Sequence, residues 1–541
     1  MLYKSVKQKD LEKFQKIIIE HSDKIYCPVG KLNYKQIETN SCFDIKEYSF
    51  KNKNKLDNIE IKTDELKIPE KICQIVDMYV SKEQHLILQK WFNSSIAMYN
   101  ETLKIIRENV SMSEIITYKK TKLDIYYNEN NQKKINIKNK ELLSELKKLE
   151  KKKNKTQKDN TDIKKCKSQI KKNEKQLKVY IKDIKILYKQ EIEDDKKMKE
   201  INRFINWKSL RTNYLKEKKD EIIEKSNEDK DDRIKVHILD CAIKQACTSY
   251  KSCLTNFKRG YIKRFNIRNW RYNKKNKILE IENGYITLIN NEFHICPSTF
   301  GKIKYKYKTD SNFEEYKLKK ESCKILYDSE INKYKLLVNK EVTEEKYNNL
   351  DKSIFMSCDQ GIRTFATNLT ENKVSQIGTN LSEQIKKLLK KIDTINKKNV
   401  SKNIKKKVNK RCYKKIKNIV DETHWKTINY MTQNTQNIII GKFSIKDVSS
   451  KETSKLNQMT KRVGSMMSPF KFRERLKYKC AVRGIGYKEQ NEGFTTAVCN
   501  RCGKYNDKVG SNIMFKCPKC KVVQERDPHG ACGIALKGIF E

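Results

Sequence analysis

Four cysteines near the end of the chain constrain its fold more than any other feature. Cys499-Asn-Arg-Cys502 is followed, 14 residues later, by Cys517-Pro-Lys-Cys520. Two residues between paired cysteines allow a tight knuckle, and two knuckles can turn four thiolates onto one tetrahedral Zn²⁺. Such a site has no open coordination position, so one structural zinc is expected. The other 13 of the 17 cysteines are scattered singly. That pattern argues against a secreted disulfide scaffold and for a reducing compartment with one metal site.

The chain has 541 residues, enough for two to four domains. Its 119 Lys+Arg outnumber 68 Asp+Glu, for a formal charge of +51. This excess points to a polyanionic partner, or to coding drift in an A/T-rich genome, and charge alone does not choose between them. Only 16 of the basic residues are arginine. No run of about 18 apolar residues occurs, and the start MLYKSVKQKD lacks an apolar core, so neither a membrane span nor secretion is expected.

Four glycines precede residue 361 and twelve lie from Gly361 onward, which marks off a final third rich in tight turns. Residues 1–70 show mixed charge and weak periodicity and read as a loosely folded extension. Ile72–Val80 suits a strand, and Ser81-Lys-Glu-Gln84 has the spacing of a capping box before a helix whose apolar face runs Leu88, Phe92, Ile96, Tyr99, Leu103, Ile106. A second helix repeats these steps in Leu239, Ala242, Ala246, Tyr250, Cys253, Phe257. Between them, a lysine-rich segment of about 119–191 carries Leu142, Leu146, Leu149 and Leu177, Ile181, Ile184, Tyr188 at coiled-coil intervals, and the polar break Asn154 to Asp162 would fold it into a helical hairpin. Its charge reads either as a solvated face or as a basic arm along a phosphate backbone.

From Lys277 to Val338 short alternating runs, with Asn283-Gly284 and Asn290-Asn291 as hairpin turns, suggest a small antiparallel β-barrel. Just before it, the segment from Phe257 to Tyr272 holds Lys258, Arg259, Arg264, Arg268 and Arg271 among aromatic residues. Guanidinium groups suit phosphates and rings suit unpaired bases, so these residues are candidate nucleic-acid contacts.

Two carboxylates stand out. The apolar run ending Cys358-Asp359-Gln-Gly361 places an aspartate at a strand end, before Thr364-Phe-Ala-Thr367 resumes a second strand. Seven residues after the last zinc cysteine, Glu525-Arg526-Asp527-Pro-His529 puts another at the start of a small-residue helix, where an N-cap is the ordinary role.

In this order, Asp359-x-Gly361, a long basic helical pair with Asp421 and His424, the strand Ile438-Ile-Ile-Gly441, the cysteine pairs and Asp527 resemble the RuvC nuclease region of TnpB proteins and type V CRISPR effectors. The resemblance is strong over roughly 350–541 and weaker upstream. It implies a multidomain α+β protein: an N-terminal extension (1–70), the first strand of a wedge barrel (71–80), an α-helical recognition lobe (81–275), an antiparallel wedge β-barrel (276–345) and an RNase H-like (RuvC) α/β nuclease domain (346–541) with a zinc ribbon inserted at about 495–522. It also implies an RNA-guided DNA endonuclease with two catalytic Mg²⁺ held by an Asp-Glu-Asp triad. The partners would be a guide (omega) RNA and a double-stranded DNA target with its displaced strand, bound by a monomeric ribonucleoprotein.

One departure is informative. Where TnpB carries the triad glutamate, this chain has Gly441. The run Glu489-Gln-Asn-Glu492-Gly-Phe-Thr-Thr496 ahead of the first zinc cysteine resembles the relocated glutamate of Fanzor proteins, the TnpB relatives of eukaryotes and their giant viruses. Glu492 is therefore the expected third metal ligand beside Asp359 and Asp527, with Glu489 as the alternative. Arg526 and His529 would either position the scissile phosphate or make ordinary surface contacts. The resemblance places the protein in a host nucleus, viral factory or virion. A catalytically silent nucleic-acid binder and a DNA-cutting-and-joining transposase remain the rival classes.

Overall fold

In the computed structural model, the N-terminal segment is integrated rather than loose. Helix α1 (Leu2–His21) buries Phe14, Ile17 and Ile18, spaced three and one apart so that they share a face. Strands β1 (Lys35–Thr39) and β2 (Asp44–Ser49) then extend the main sheet, β2 pairing antiparallel with β12 (Lys373–Ile377). The expectation of a loosely folded extension over 1–70 is thus overturned: weak periodicity hid two short strands, and Phe43 and Ile45, at the start of the second, find their apolar partners some 300 residues away. The structure describes residues 2–39, 43–51, 60–151, 156–226, 234–273, 276–289, 292–306, 321–329, 332–342, 352–445, 456–510 and 512–541. They form two units, one of Lys71–Glu341 and one combining Met1–Glu70 with Val342–Glu541.

In the first unit, β3 (Lys71–Tyr79) leads into α2 (Lys82–Asn109), started by the expected capping box between Ser81 and Gln84. Every residue of the predicted apolar face of α2 is buried. It packs with α7 (Val236–Lys258), whose predicted face is likewise buried apart from Cys253. Helices α3 (Met112–Glu150) and α4 (Gln157–Phe204) form the predicted hairpin. The polar break lies partly outside the described residues, and its later part is helical, with Thr156 capping α4 through Asp159. The seam between the two helices is more polar than a coiled coil: Leu146 and Ile184 are buried, but Ile181 and Tyr188 are exposed. Asn173 Nδ2 donates to Asn139 Oδ1 at 2.6 Å, and Thr121 donates to Asp194 at 2.9 Å. Short helices α5 (Trp207–Asn213) and α6 (Lys216–Ser226) follow.

The expected wedge barrel over 276–345 is an open sheet among the described residues. Strands β4 (Asn276–Ile281), β7 (Lys304–Lys306), β8 (Cys323–Asp328) and β9 (Lys333–Glu341) join β3 in the antiparallel order β4-β8-β9-β3-β7, with β4 and β7 at the edges. Asn283-Gly284 is not a hairpin turn between neighbours, because β4 pairs with β8. It sits instead in a 3₁₀ turn leading to a separate hairpin of β5 (Ile286–Ile289) and β6 (Glu292–Ile295), whose expected turn at Asn290-Asn291 lies outside the described residues. A short helix, α8 (Pro297–Phe300), follows.

The second unit is built on a seven-stranded mixed sheet, order β1-β2-β12-β11-β10-β13-β14, with β10 (Ser353–Gln360), β11 (Ala366–Leu369), β13 (Thr435–Gly441) and β14 (Gly486–Gln490). Strands β10, β11 and β12 run antiparallel, whereas β13 and β14 lie parallel to β10. Both faces are covered, which is why the central strands read as nearly unbroken apolar runs. Helices α9 (Leu381–Lys397), α10 (Lys402–Asn434), α11 (Gln458–Met467) and α12 (Pro469–Arg483) pack on the face of Met356, Cys358 and Ile438. On the other face α13 (Arg526–Phe540) and α1 pack with Phe355 and Leu369. Strands β15 (Met514–Lys516) and β16 (Val523–Glu525) form a small hairpin, and β16 runs directly into α13.

Candidate active site

The side-chain alternation of β10 sends Phe355, Ser357 and Asp359 to the α13 face. Cys358 pairs with Ile440, so Asp359 stands level with Gly441 on β13. Gly441 in turn pairs with Gln490 at the end of β14, two residues before Glu492. A Cβ at Gly441 would collide with the carboxylate of Glu492, whose Cδ and Cγ would lie only 2.7 Å away. The Glu492 side chain therefore occupies the space that a residue on β13 would have used. On the opposite side, a Cβ at Gly530 of α13 would lie 2.5 Å from Asp359 Oδ2, so this helix approaches the strand end as closely as only glycine permits.

Asp527 lies in the first turn of α13, inside the helix rather than at its cap. Asp359 and Asp527 line a cleft of about 600 Å³ together with Gly361, Thr364, Lys386, Thr496 and Arg526. Arg526 Nη2 holds Asp527 Oδ1 at 3.1 Å. Burial, then the charges of Glu492 and Asp527, push the Asp359 carboxyl well above its ordinary range, with Arg526 pulling it back. Burial likewise pushes Glu492 up to about 7, opposed by Arg473. Glu492 Oε1 is sealed from solvent and has no hydrogen-bond partner among the described residues. Half-buried carboxylates whose negative charges act on one another at Asp359, one of them with an unpaired oxygen, form a set that divalent cations would stabilise.

Of the two glutamates considered, Glu492 is the one brought to Asp359. Glu489 points to the other face of the sheet, where its Oε1 accepts from Tyr487 at 2.8 Å and lies 3.8 Å from Arg473 Nε. His529 does not reach the cleft. It is buried, stacked on Phe515 at 4.0 Å, with Nε2 donating to the Val498 carbonyl at 2.9 Å, so it ties the cysteine-bearing segment to α13 instead of meeting phosphate. Asp421 and His424 on α10 are also structural: Asp421 pairs with Arg475 at 2.8 Å, and His424 donates to Met467 at 2.9 Å.

The four cysteine sulfurs lie within 4.8 Å of one another. Cys499 and Cys520 are 3.6 Å apart, and Cys502 and Cys517 3.5 Å. A tetrahedral site with Zn–S bonds of about 2.3 Å requires sulfurs ~3.8 Å apart, whereas a disulfide would need about 2.05 Å. The cluster therefore fits one ion and no disulfide. The N-terminal segment grips the strand between this cluster and α13: Gly30 N donates to Val523 O at 2.7 Å, while Leu32 N and Tyr34 Oη donate to the Glu525 carboxylate at 3.0 and 2.8 Å.

Lys258, Arg259, Arg264, Arg268 and Arg271 are all exposed. The rings between them divide. Tyr261 and Tyr272 are 74% and 53% exposed, but Phe257 is buried and Trp270 stacks on Tyr99 at 4.2 Å, which removes these two as platforms for bases. Sequence reasoning missed Arg473, which is only 5% exposed and donates to Gln360 and to the Phe443 carbonyl. An arginine next to Phe472 within the buried stripe of α12, in an arginine-poor chain, was the available signal.

Residues 470–534, from α12 through the cysteine cluster into α13, match the Cas12f1-like, TNB domain family. The TnpB-like protein L770 of Acanthamoeba polyphaga mimivirus is 32% identical over 337 residues, 60% of this chain and 61% of that protein, so the chain spans about three fifths of this relative's length. The putative transposase A625R of Paramecium bursaria Chlorella virus 1 is 33% identical over 132 residues, 24% of this chain and 29% of that protein. Among solved structures, a Cas12f1-sgRNA-target DNA complex shares 14% identity, covering 54% of this chain and 70% of that one, at a TM-score of 0.33, a likeness too distant to carry weight. The sequence kinship with giant-virus TnpB-like proteins over 60% of the chain, together with the TNB-domain match, supports a TnpB-like protein.

Proposed function

We propose that the chain is an RNA-guided, Mg²⁺-dependent DNA endonuclease of RuvC type. The observation that carries this reading is the Glu492 carboxylate, which fills the space beside Gly441 level with Asp359, whose strand end also feels the charge of Asp527 at the helix start. The sheet order β12-β11-β10-β13-β14, three antiparallel strands and then two parallel ones, supports an RNase H-like core.

Asp359, Glu492 and Asp527 would hold the two Mg²⁺. When bound, such a pair lowers the pKa of an attacking water and neutralises the leaving oxygen of a phosphodiester. The protein's own groups supply the rest. Asp359 is held ready on a rigid strand end, and Glu492 in the turn that follows β14. Arg526 offers a cation at the cleft for the phosphate, and its link to Asp527 keeps that cation in place. Cys499, Cys502, Cys517 and Cys520 would bind one structural Zn²⁺ that fixes the start of α13 and with it Asp527.

For partners, the reading is a guide RNA and a DNA duplex opened by it, bound by a monomer acting in a host nucleus or viral factory. Charge placement supports a phosphate-rich partner. On α4, Lys164, Lys171, Lys175, Lys178, Lys182, Lys185 and Lys189 follow one another at steps of three, four and seven, so they share a single exposed stripe roughly 37 Å long. None of the seven has an acidic partner among the described residues, whereas Lys165 and Lys167 of the same helix pair with Asp162 and Glu150. No helix among the described residues is long and apolar enough to cross a membrane.

The test is cleavage of target plasmid by the purified complex, with sequencing of its co-purifying RNA. Asp359→Ala should lower cleavage at least about 10³-fold and leave RNA binding intact. Cleavage retained by that variant would refute the assignment. Cutting that persists without RNA would favour the transposase reading that the A625R relative's name suggests.

A further inference from the structure

The relocated glutamate leaves the rigid strand β14 and sits in the turn that follows it, yet its carboxylate must hold a fixed place beside Asp359. What fixes that turn is a buried lysine from another element. Lys537 on α13 is 5% exposed, and lysine is seldom buried without a partner. Its Nζ donates to the carbonyl of Gly493, the residue after Glu492, at 2.6 Å. The ammonium also lies 4.7 Å from the centre of the Phe14 ring on α1. The turn is braced from within as well: Thr495 donates to the Glu492 carbonyl through its N–H at 3.2 Å and through Oγ1 at 2.9 Å. Gly533 of α13 lies so close that a Cβ there would be 2.7 Å from the Thr495 carbonyl oxygen. A second lysine makes an instructive contrast. Lys488 Nζ donates to Gly538 O at 2.7 Å, linking β14 to α13 as firmly as Lys537 does but without touching the turn.

We infer that Lys537, seated on Phe14, is a positioning residue that locks the Glu492 turn so that its carboxylate completes the metal-binding set with Asp359. The inference rests on the reading of Asp359, Glu492 and Asp527 as metal ligands. It also assigns a role to the N-terminal helix, which otherwise has no part in the chemistry.

The experiment is a Mn²⁺ titration of the RNA-free full chain, followed by electron paramagnetic resonance and paired with thermal melting. The specific sites are those lost in Asp359→Asn. Lys537→Met, which keeps the length and removes the donor, should weaken these sites about 10- to 100-fold, the scale seen when residues supporting metal ligands are removed. Lys488→Met should leave Mn²⁺ affinity within about twofold while lowering the melting temperature comparably, because its bond to the helix is of the same kind. Thr495→Val, a milder change, should weaken the sites by about 3- to 10-fold and serves if Lys537→Met does not fold. A folded Lys537→Met with wild-type Mn²⁺ affinity, or equal losses in both lysine variants, would overturn the inference and leave the metal reading standing. If the wild-type chain shows no Mn²⁺ site that depends on Asp359, the metal reading itself falls.

Discussion

On the proposed reading, the cysteine cluster and the carboxylate cluster are opposite solutions to holding a metal. The cysteines come from one stretch of 22 residues, Cys499–Cys520, and their geometry is set by two knuckles that each make their own turn. The carboxylates come from residues 359, 492 and 527, and they meet only because β10, β13 and β14 pair in one register and α13 packs on their ends. The first arrangement tolerates no replacement of a ligand, because each sulfur position follows from its knuckle. The second leaves room for a ligand to come from elsewhere: the side chain of Glu492 stands where one from Gly441 would have stood. A site assembled by tertiary packing leaves space that can be filled from any nearby backbone, and a site made by local turns does not.

The largest expected effects separate the clusters by what is lost. Cys517→Ser, or zinc removal by a chelator, should unfold the β15–β16 hairpin and abolish cleavage together with a cooperative part of the thermal transition, since structural zinc contributes several kcal/mol. Cleavage surviving full chelation would show that α13 is held without the ribbon. In contrast, Glu492→Gln should reduce cleavage by about 10³-fold with little change in melting, while Glu489→Gln should stay within about tenfold of wild type. The reverse order would place the third ligand on β14 itself.

A smaller effect tests the exchanged position directly. Gly441→Ala should lower cleavage by about 10- to 100-fold, because its Cβ displaces the Glu492 carboxylate, and a shift of about 1 Å in a catalytic group costs on the order of 10²-fold. The double variant Gly441→Glu, Glu492→Ala should recover part of that loss, and no recovery would mean that β13 no longer offers a usable route to the site.

The smallest effect concerns the packing behind the cleft. Burial lowers the His424 pKa from 6.5 to about 4, on a ring stacked with Phe365. The unfolded chain therefore binds this proton more readily, and the stability it represents, present above pH 6.5, is lost as pH falls toward 4. Melting of the carboxylate-bearing unit should decline across that window by up to a few kcal/mol, and His424→Gln should flatten the decline. An unchanged pH profile in that variant would remove His424 as the source.

The same contrast explains what could be read early. The apolar faces of α2 and α7, the capping box at Ser81 and the cysteine knuckles were legible because their period or spacing is local. Asp359 was legible as a strand-end acid. Residues 1–70 were not, since β1 and β2 form a short hairpin at the edge of the sheet that joins it only where β2 pairs with β12. The barrel expected from alternating runs became an open sheet because alternation specifies faces and not which strands pair. His529 was misplaced for a similar reason: a histidine beside a catalytic-looking aspartate points wherever its helix turns it, here into the Phe515 stack.

By itself the sequence determined the four-sulfur cluster, the helical hairpin, the strand ends that carry Asp359 and the two candidate glutamates, all features with a repeat or spacing short enough to act within one element. Only the tertiary structure decided that Glu492 and not Glu489 faces Asp359, that Gly441 yields its space to it, and that Lys537 and the N-terminal helix hold the turn. Those facts depend on strand register and on the close approach of α13, and both are fixed by burying apolar surface between segments hundreds of residues apart.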